Sequence, residues 1–127
     1  MAEQILVVLV EDNDVFREAL ELLLGLRPEM RVIASVADGA DAARVVGELC
    51  PDVVLMDYRL PGLDGVQATR AVLAACPDTA VVCLTASANP REREALLEAG
   101  AVGCLEKDEG LDAIVAAIRE AAQPALR

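Results

Sequence analysis

The stretch Asp52-Val53-Val54-Leu55-Met56-Asp57-Tyr58-Arg59-Leu60-Pro61-Gly62-Leu63-Asp64-Gly65 decides how this chain is read. A short apolar run ends on an acid, and a segment holding Pro61 and Gly62 follows, with the composition of a tight turn. An apolar run without in–out alternation is the pattern of a strand covered on both faces. The same pattern recurs outward from it. Strands are expected over 5–10, 31–36, 52–56, 80–85 and 102–105.

Between the runs lie amphipathic patterns with apolar residues three and four apart. The first holds Phe16, Leu20, Leu23 and Leu24, with Asp14 as the expected N-cap and Pro28 beyond its end. The second spans about 38–49 and stops before Pro51, and the third spans about 64–76 and stops before Pro77. The fourth opens on Asn89-Pro90, a cap followed by proline at the first helical position, and ends at Gly100. The fifth carries Leu111, Ile114, Val115 and Ile118 on one face. Five strand–helix units with right-handed crossovers give an α/β fold, a doubly wound five-stranded parallel sheet. Such sheets place their sites at the carboxyl ends of the strands.

A chain of 127 residues is the size of one domain. Apolar residues make up 55%, too many for a disordered tail. The net charge of −11 repels phosphate and disfavours nucleic-acid binding by this chain alone. With no histidine, imidazole-bound metals, Ser-His triads and histidine general bases are all excluded. The early apolar run of six residues is bounded by Glu3 and Glu11, far short of the roughly 20 a membrane helix needs. No membrane association and a cytoplasmic location are expected. Cys50, Cys76, Cys83 and Cys104 form no C-x-x-C pair and read as small buried hydrophobes.

The expected strand ends gather chemistry. The first exits into Glu11-Asp12, the third into Asp57, the fourth into Thr85-Ala86-Ser87 and the fifth into Glu106-Lys107-Asp108. Two carboxylates about 5 Å apart repel by roughly 3 kcal/mol at an effective dielectric of 20. Three such pairs approach the whole stability of a small domain, about 5–15 kcal/mol. A cation, raised carboxylate pKa values, or both must offset that repulsion. A few oxygen ligands suit Mg²⁺, or Mn²⁺, with water completing the octahedron. Unrelated surface acids would explain any one of these residues in so acidic a chain, but not the gathering. An aspartate facing a cation is also a candidate nucleophile, forming an acyl phosphate.

Here the chain resembles the receiver domain of bacterial response regulators from two-component signalling. Leu55 to Gly65 looks like the family's phosphoacceptor loop, and Val10-Glu11-Asp12, Leu84-Thr85-Ala86 and Leu105-Glu106-Lys107 fall around it in matching order. The resemblance implies a flavodoxin-like (βα)5 sheet in strand order 2-1-3-4-5. It implies that Asp57 accepts a phosphoryl group from a sensor histidine kinase or phosphotransfer protein. Asp12 and Asp57 would ligate Mg²⁺ directly, Glu11 through water, and Arg59 by its backbone carbonyl. Thr85 and Lys107 would contact the phosphoryl oxygens, and Ala86 would leave the acceptor open. Side chains at Arg59 and Ser87 would tune the lifetime of the phosphoryl group. Such a domain promotes only its own phosphorylation and dephosphorylation.

One position departs from the family pattern. Three residues before the lysine the family usually carries an aromatic ring or histidine that moves with the threonine, and here it is Cys104. Either Cys104 only fills the core, or the conformational response is reduced or altered, or the thiol is redox-sensitive. Asp108 after the lysine, together with Leu111-Asp112-Ala113-Ile114 and Ile118-Arg119, resembles receivers that precede a LuxR-type helix-turn-helix. The expectation is a receiver over 1–122, a linker beginning at 123–127, and DNA contact only through a C-terminal domain outside this sequence, an excised receiver rather than a single-domain regulator. The alanines of the fifth helix would permit a homodimer, although helix propensity on a covered face explains them better. A haloacid-dehalogenase-like phosphatase would want a second aspartate where Arg59 stands. A flavin protein would want more aromatic wall than Phe16 and Tyr58 offer. The remaining alternative is a receiver-like interaction module that works without phosphorylation.

Overall fold

The computed structural model describes residues 4–60, 63–86 and 89–123. Strands β1 (Ile5–Val10), β2 (Met30–Val36), β3 (Val53–Asp57), β4 (Ala80–Thr85) and β5 (Gly103–Glu106) alternate with helices α1 (Asp14–Gly25), α2 (Gly39–Leu49), α3 (Gly65–Ala75), α4 (Pro90–Glu98) and α5 (Leu111–Ala122). All strand pairs are parallel and the order is β2-β1-β3-β4-β5, the flavodoxin-like sheet expected.

Successive residues of the strands feed two separate cores. Val8, Val10, Val54, Met56, Val81 and Cys83 face α2, α3 and α4 through Val46, Val72 and Leu96. Their neighbours Val7, Leu9, Val53, Leu55, Val82 and Leu84 face α1 and α5 through Leu20, Leu24, Ile114 and Ile118. A strand with an apolar partner on each side has no polar positions to alternate with, which is why β1, β3 and β4 read as unbroken runs.

Several expectations are corrected. β2 and β5 are edge strands, mostly half-buried, rather than covered on both faces. The second strand begins one residue earlier than expected, and the third and fifth are shifted one residue along, so that Asp57 ends β3 instead of following it. The N-cap of α1 is Asn13, whose side chain accepts from the Phe16 N–H, while Asp14 is the first helical residue and pairs with Arg17. Cys50 is exposed, whereas Cys76, Cys83 and Cys104 are buried as expected. A 3-10 turn, Lys107–Glu109, follows β5 directly and was not foreseen.

Candidate functional site

Sheet register brings the strand ends together. β3 sits between β1 and β4, with Asp57 opposite Leu84 and Val10 opposite Met56. Thr85 lies opposite Glu106, one residue before Lys107. Glu11, Asp57 and Thr85 are therefore neighbours at one edge, and all three are buried, with exposures of 2%, 4% and 4%. Asp12 is exposed beside them. Glu11, Asp12 and Asp57 each bring a carboxylate oxygen within 4.8 Å of the other two.

One cation closes this cluster from the protein side. The Lys107 ammonium lies 2.8 Å from Glu11 Oε1 and 3.4 Å from Asp57 Oδ1. It also sits 4.8 Å from the centre of the Phe16 ring, so the start of α1 braces the lysine through a cation–π contact. Arg17 on the same helix donates to the Glu11 carbonyl at 2.8 Å, and the Asn13 N–H donates to Glu11 Oε2 at 3.0 Å. These supports by Phe16, Arg17 and Asn13 are absent from the sequence reading. Only their place one helical turn after Glu11-Asp12 could have signalled them.

The electrostatics follow from burial. Desolvation first, and then the Glu11 charge, push Asp57 up to about 7, against Lys107 and the Arg59 N–H, which donates to Asp57 Oδ1 at 3.4 Å. Burial works to lower Lys107, but its contacts with Glu11 and Asp57 outweigh that and hold it above its ordinary value. A buried acid that keeps its proton until neutral pH is one short of positive charge. An all-oxygen donor set of three converging carboxylates, with no thiol or imidazole among them, fits a hard divalent cation such as Mg²⁺.

The loop after Asp57 is folded back on itself. The Gly65 N–H donates to the Tyr58 carbonyl at 2.7 Å, and a Cβ on Gly65 would stand 2.8 Å from Tyr58 Cα. The capping box of Asp64 and Gln67 then starts α3. Asp12, Tyr58, Arg59, Leu60 and Asp64 line an open cleft of about 510 Å³. Ala86 is exposed just past β4, and Cys104 is buried in the core shared with Cys83 and Leu96. Pro61, Gly62 and Ser87 lie outside the described residues, as do 124–127.

A doubly wound sheet carrying an aspartate at the end of its third strand, beside two acids and a lysine, is the framework of a signalling receiver domain. Residues 7–119 match the response regulator receiver domain, and the chain belongs to that family. It is 36% identical over 121 residues to a probable transcriptional regulatory protein NarL of Mycobacterium tuberculosis, covering 95% of this chain and 56% of that one. It is 35% identical over 120 residues to the transcriptional regulatory protein DegU of Brevibacillus brevis, covering 94% and 51%. The chain thus spans about half the length of these relatives. The solved NarL receiver domain superposes with a TM-score of 0.90 at 36% identity, covering 94% of this chain and 97% of that one. The receiver domain of a Pseudomonas aeruginosa sensor histidine kinase, solved with magnesium in its active-site cleft, gives 0.78 at 35% identity, covering 94% and 98%. Among the described residues, no helix is long and apolar enough to cross a membrane.

Proposed function

We propose that this chain is the phosphoacceptor of a two-component response regulator, with Asp57 as the acceptor. The observation that carries the reading is the burial of Asp57 within 4.8 Å of Glu11 and Asp12 carboxylate oxygens and 3.4 Å of the Lys107 ammonium. One Asp57 carboxylate oxygen attacks the phosphorus of a phosphohistidine on a sensor kinase or phosphotransfer protein. The new P–O bond forms as the P–N bond breaks, and the departing imidazole takes up a proton. The product is an acyl phosphate, which adds about −1.5 to −2 charges to the site.

Phosphoryl transfer needs alignment and charge neutralisation more than covalent help. Lys107, held by Glu11 and Phe16, supplies a fixed positive charge to the phosphoryl oxygens. Thr85, at the end of the adjacent strand, offers them a hydroxyl. Asp12, Asp57, Glu11 (through water) and the Arg59 carbonyl would hold Mg²⁺ (or Mn²⁺). When bound there, the cation would supply positive charge against the developing charge on the acceptor and phosphoryl oxygens. Ala86 keeps the approach open, Arg59 and Ser87 tune hydrolysis, and Cys104 replaces the usual mobile ring with a buried thiol. The domain acts on no other substrate. Its output is transcriptional, through a LuxR-type DNA-binding domain beyond the receiver at 1–122 and the linker beginning at 123–127, in the cytoplasm.

The linkage itself tests this reading. Label from a small-molecule phosphodonor should be released by hydroxylamine, which cleaves acyl phosphates and spares phosphoserine and phosphothreonine. Hydroxylamine-stable label would overturn the assignment to a carboxylate.

A further inference from the structure

Lys107 is the only lysine in the chain and Phe16 the only phenylalanine, and the fold sets one over the other. Lys107 opens the 3-10 turn after β5, where the Glu106 N–H donates to Glu109 Oε2 at 2.7 Å. Phe16 stands in the first turn of α1. Its N–H donates to the Asn13 side chain at 2.9 Å, and its own side chain packs against the core that α1 shares with α5. Cap and core together fix where the ring lies. The ammonium is 4.8 Å from the ring centre, inside the roughly 6 Å over which a cation is drawn to the negative face of an aromatic ring.

Glu11 Oε1 at 2.8 Å, Asp57 Oδ1 at 3.4 Å and the Phe16 ring all hold this ammonium, but not equally through a reaction. Glu11 and Asp57 belong to the carboxylate cluster and would share their charge with a divalent cation bound there. Asp57 also gives up its carboxylate charge when one of its oxygens joins the phosphoryl group. The ring carries no proton, ligates no cation and is not esterified, so its attraction for the ammonium persists throughout. That matters for a lysine, whose compact charge rides on a flexible four-carbon stem and stays only where its end is held.

We propose that Phe16 is a positioning residue for phosphoryl transfer: the face of its ring keeps the Lys107 ammonium on the incoming phosphoryl oxygens as Glu11 and Asp57 release their hold. Phe16 has this role only if Asp57 is the phosphoacceptor, and it acts through Lys107 alone. A ring that merely filled the core would act by its shape. Shape and electron density can be varied separately here, because the chain has no other phenylalanine.

The test produces the full chain with mono-, di- or trifluorinated phenylalanine, which replaces Phe16 alone. Each fluorine withdraws electron density from the ring face while the packing stays nearly the same. The rate of adduct formation from a small-molecule phosphodonor with Mg²⁺ should fall stepwise along the series, by about two- to fivefold for the trifluorinated ring. Phe16→Leu should fall at least as far, and Phe16→Tyr, which keeps the ring face, should retain the native rate within about twofold. A second readout needs neither phosphodonor nor Mg²⁺. In EDTA the NMR signals of the Lys107 Cε methylene, unambiguous in a chain with one lysine, should lie upfield through the ring current, and Phe16→Leu should abolish that shift. Equal rates along the fluorinated series would overturn the proposal and leave Asp57 as the acceptor, even if Phe16→Leu were slow, since the ring would then act by packing. An unchanged lysine signal in Phe16→Leu would overturn it too. No adduct in the native chain would overturn both the proposal and the reading of Asp57.

Discussion

At the scale of single residues, Asp57 carries the sharpest consequence. In the folded chain it keeps its proton until about pH 7, whereas its ordinary value is 3.8. Between those values the folded state binds more protons than the unfolded one, so the stability of the cation-free protein falls as the pH rises through that window. Asp57→Asn removes the titration. In EDTA at pH 8 it should be more stable than the native chain, by on the order of 2 kcal/mol, and its stability should vary less between pH 5 and 8. Urea melts at the two pH values check this, and parallel pH dependence in both proteins would contradict it. Lys107 is the counterpart. Lys107→Ala leaves Glu11 and Asp57 facing each other without a cation, which should cost about 1–3 kcal/mol in EDTA. Gly65→Ala forces a Cβ onto the Tyr58 backbone and should cost a similar amount, about 1–3 kcal/mol, read as a lower melting temperature.

At the scale of elements, the legibility of the chain varied with how locally each feature is determined. β1, β3 and β4 were legible because burial on both faces is written into every residue of the run. The edge positions of β2 and β5 were not, because pairing order is a property of the whole sheet. Asn13 and Asp14 are both good caps. Which one caps α1 depends on where the backbone turns helical, and no local pattern states that. Asn13→Ala should therefore cost about 1 kcal/mol. The convergence of Glu11, Asp12, Asp57 and Lys107 was legible from strand exits alone, whereas the bracing by Phe16 and Arg17 requires knowing how α1 packs. α4 is the least anchored helix, with Leu96 its one buried residue and Leu97 exposed. Amide exchange should be fastest there among the helices, and Leu96→Ala should cost about 2–5 kcal/mol.

At the scale of the whole molecule, the carboxyl end of the sheet gathers three acids and a lysine. The net charge of −11 is concentrated further where those acids meet, so a bound divalent cation should stabilise the whole fold. At a hundred times its dissociation constant it contributes about 2.7 kcal/mol, measured as a rise in melting temperature that Asp12→Asn weakens. The central claim is that Asp57 accepts a phosphoryl group in a cation-dependent way. Intact mass after incubation with a small-molecule phosphodonor tests it most directly, with Mg²⁺ and with EDTA, for the native chain and Asp57→Asn. One phosphoryl adduct is expected in the native chain with Mg²⁺ and none in the other samples. An adduct that survives EDTA or Asp57→Asn, or no adduct at all, would contradict it.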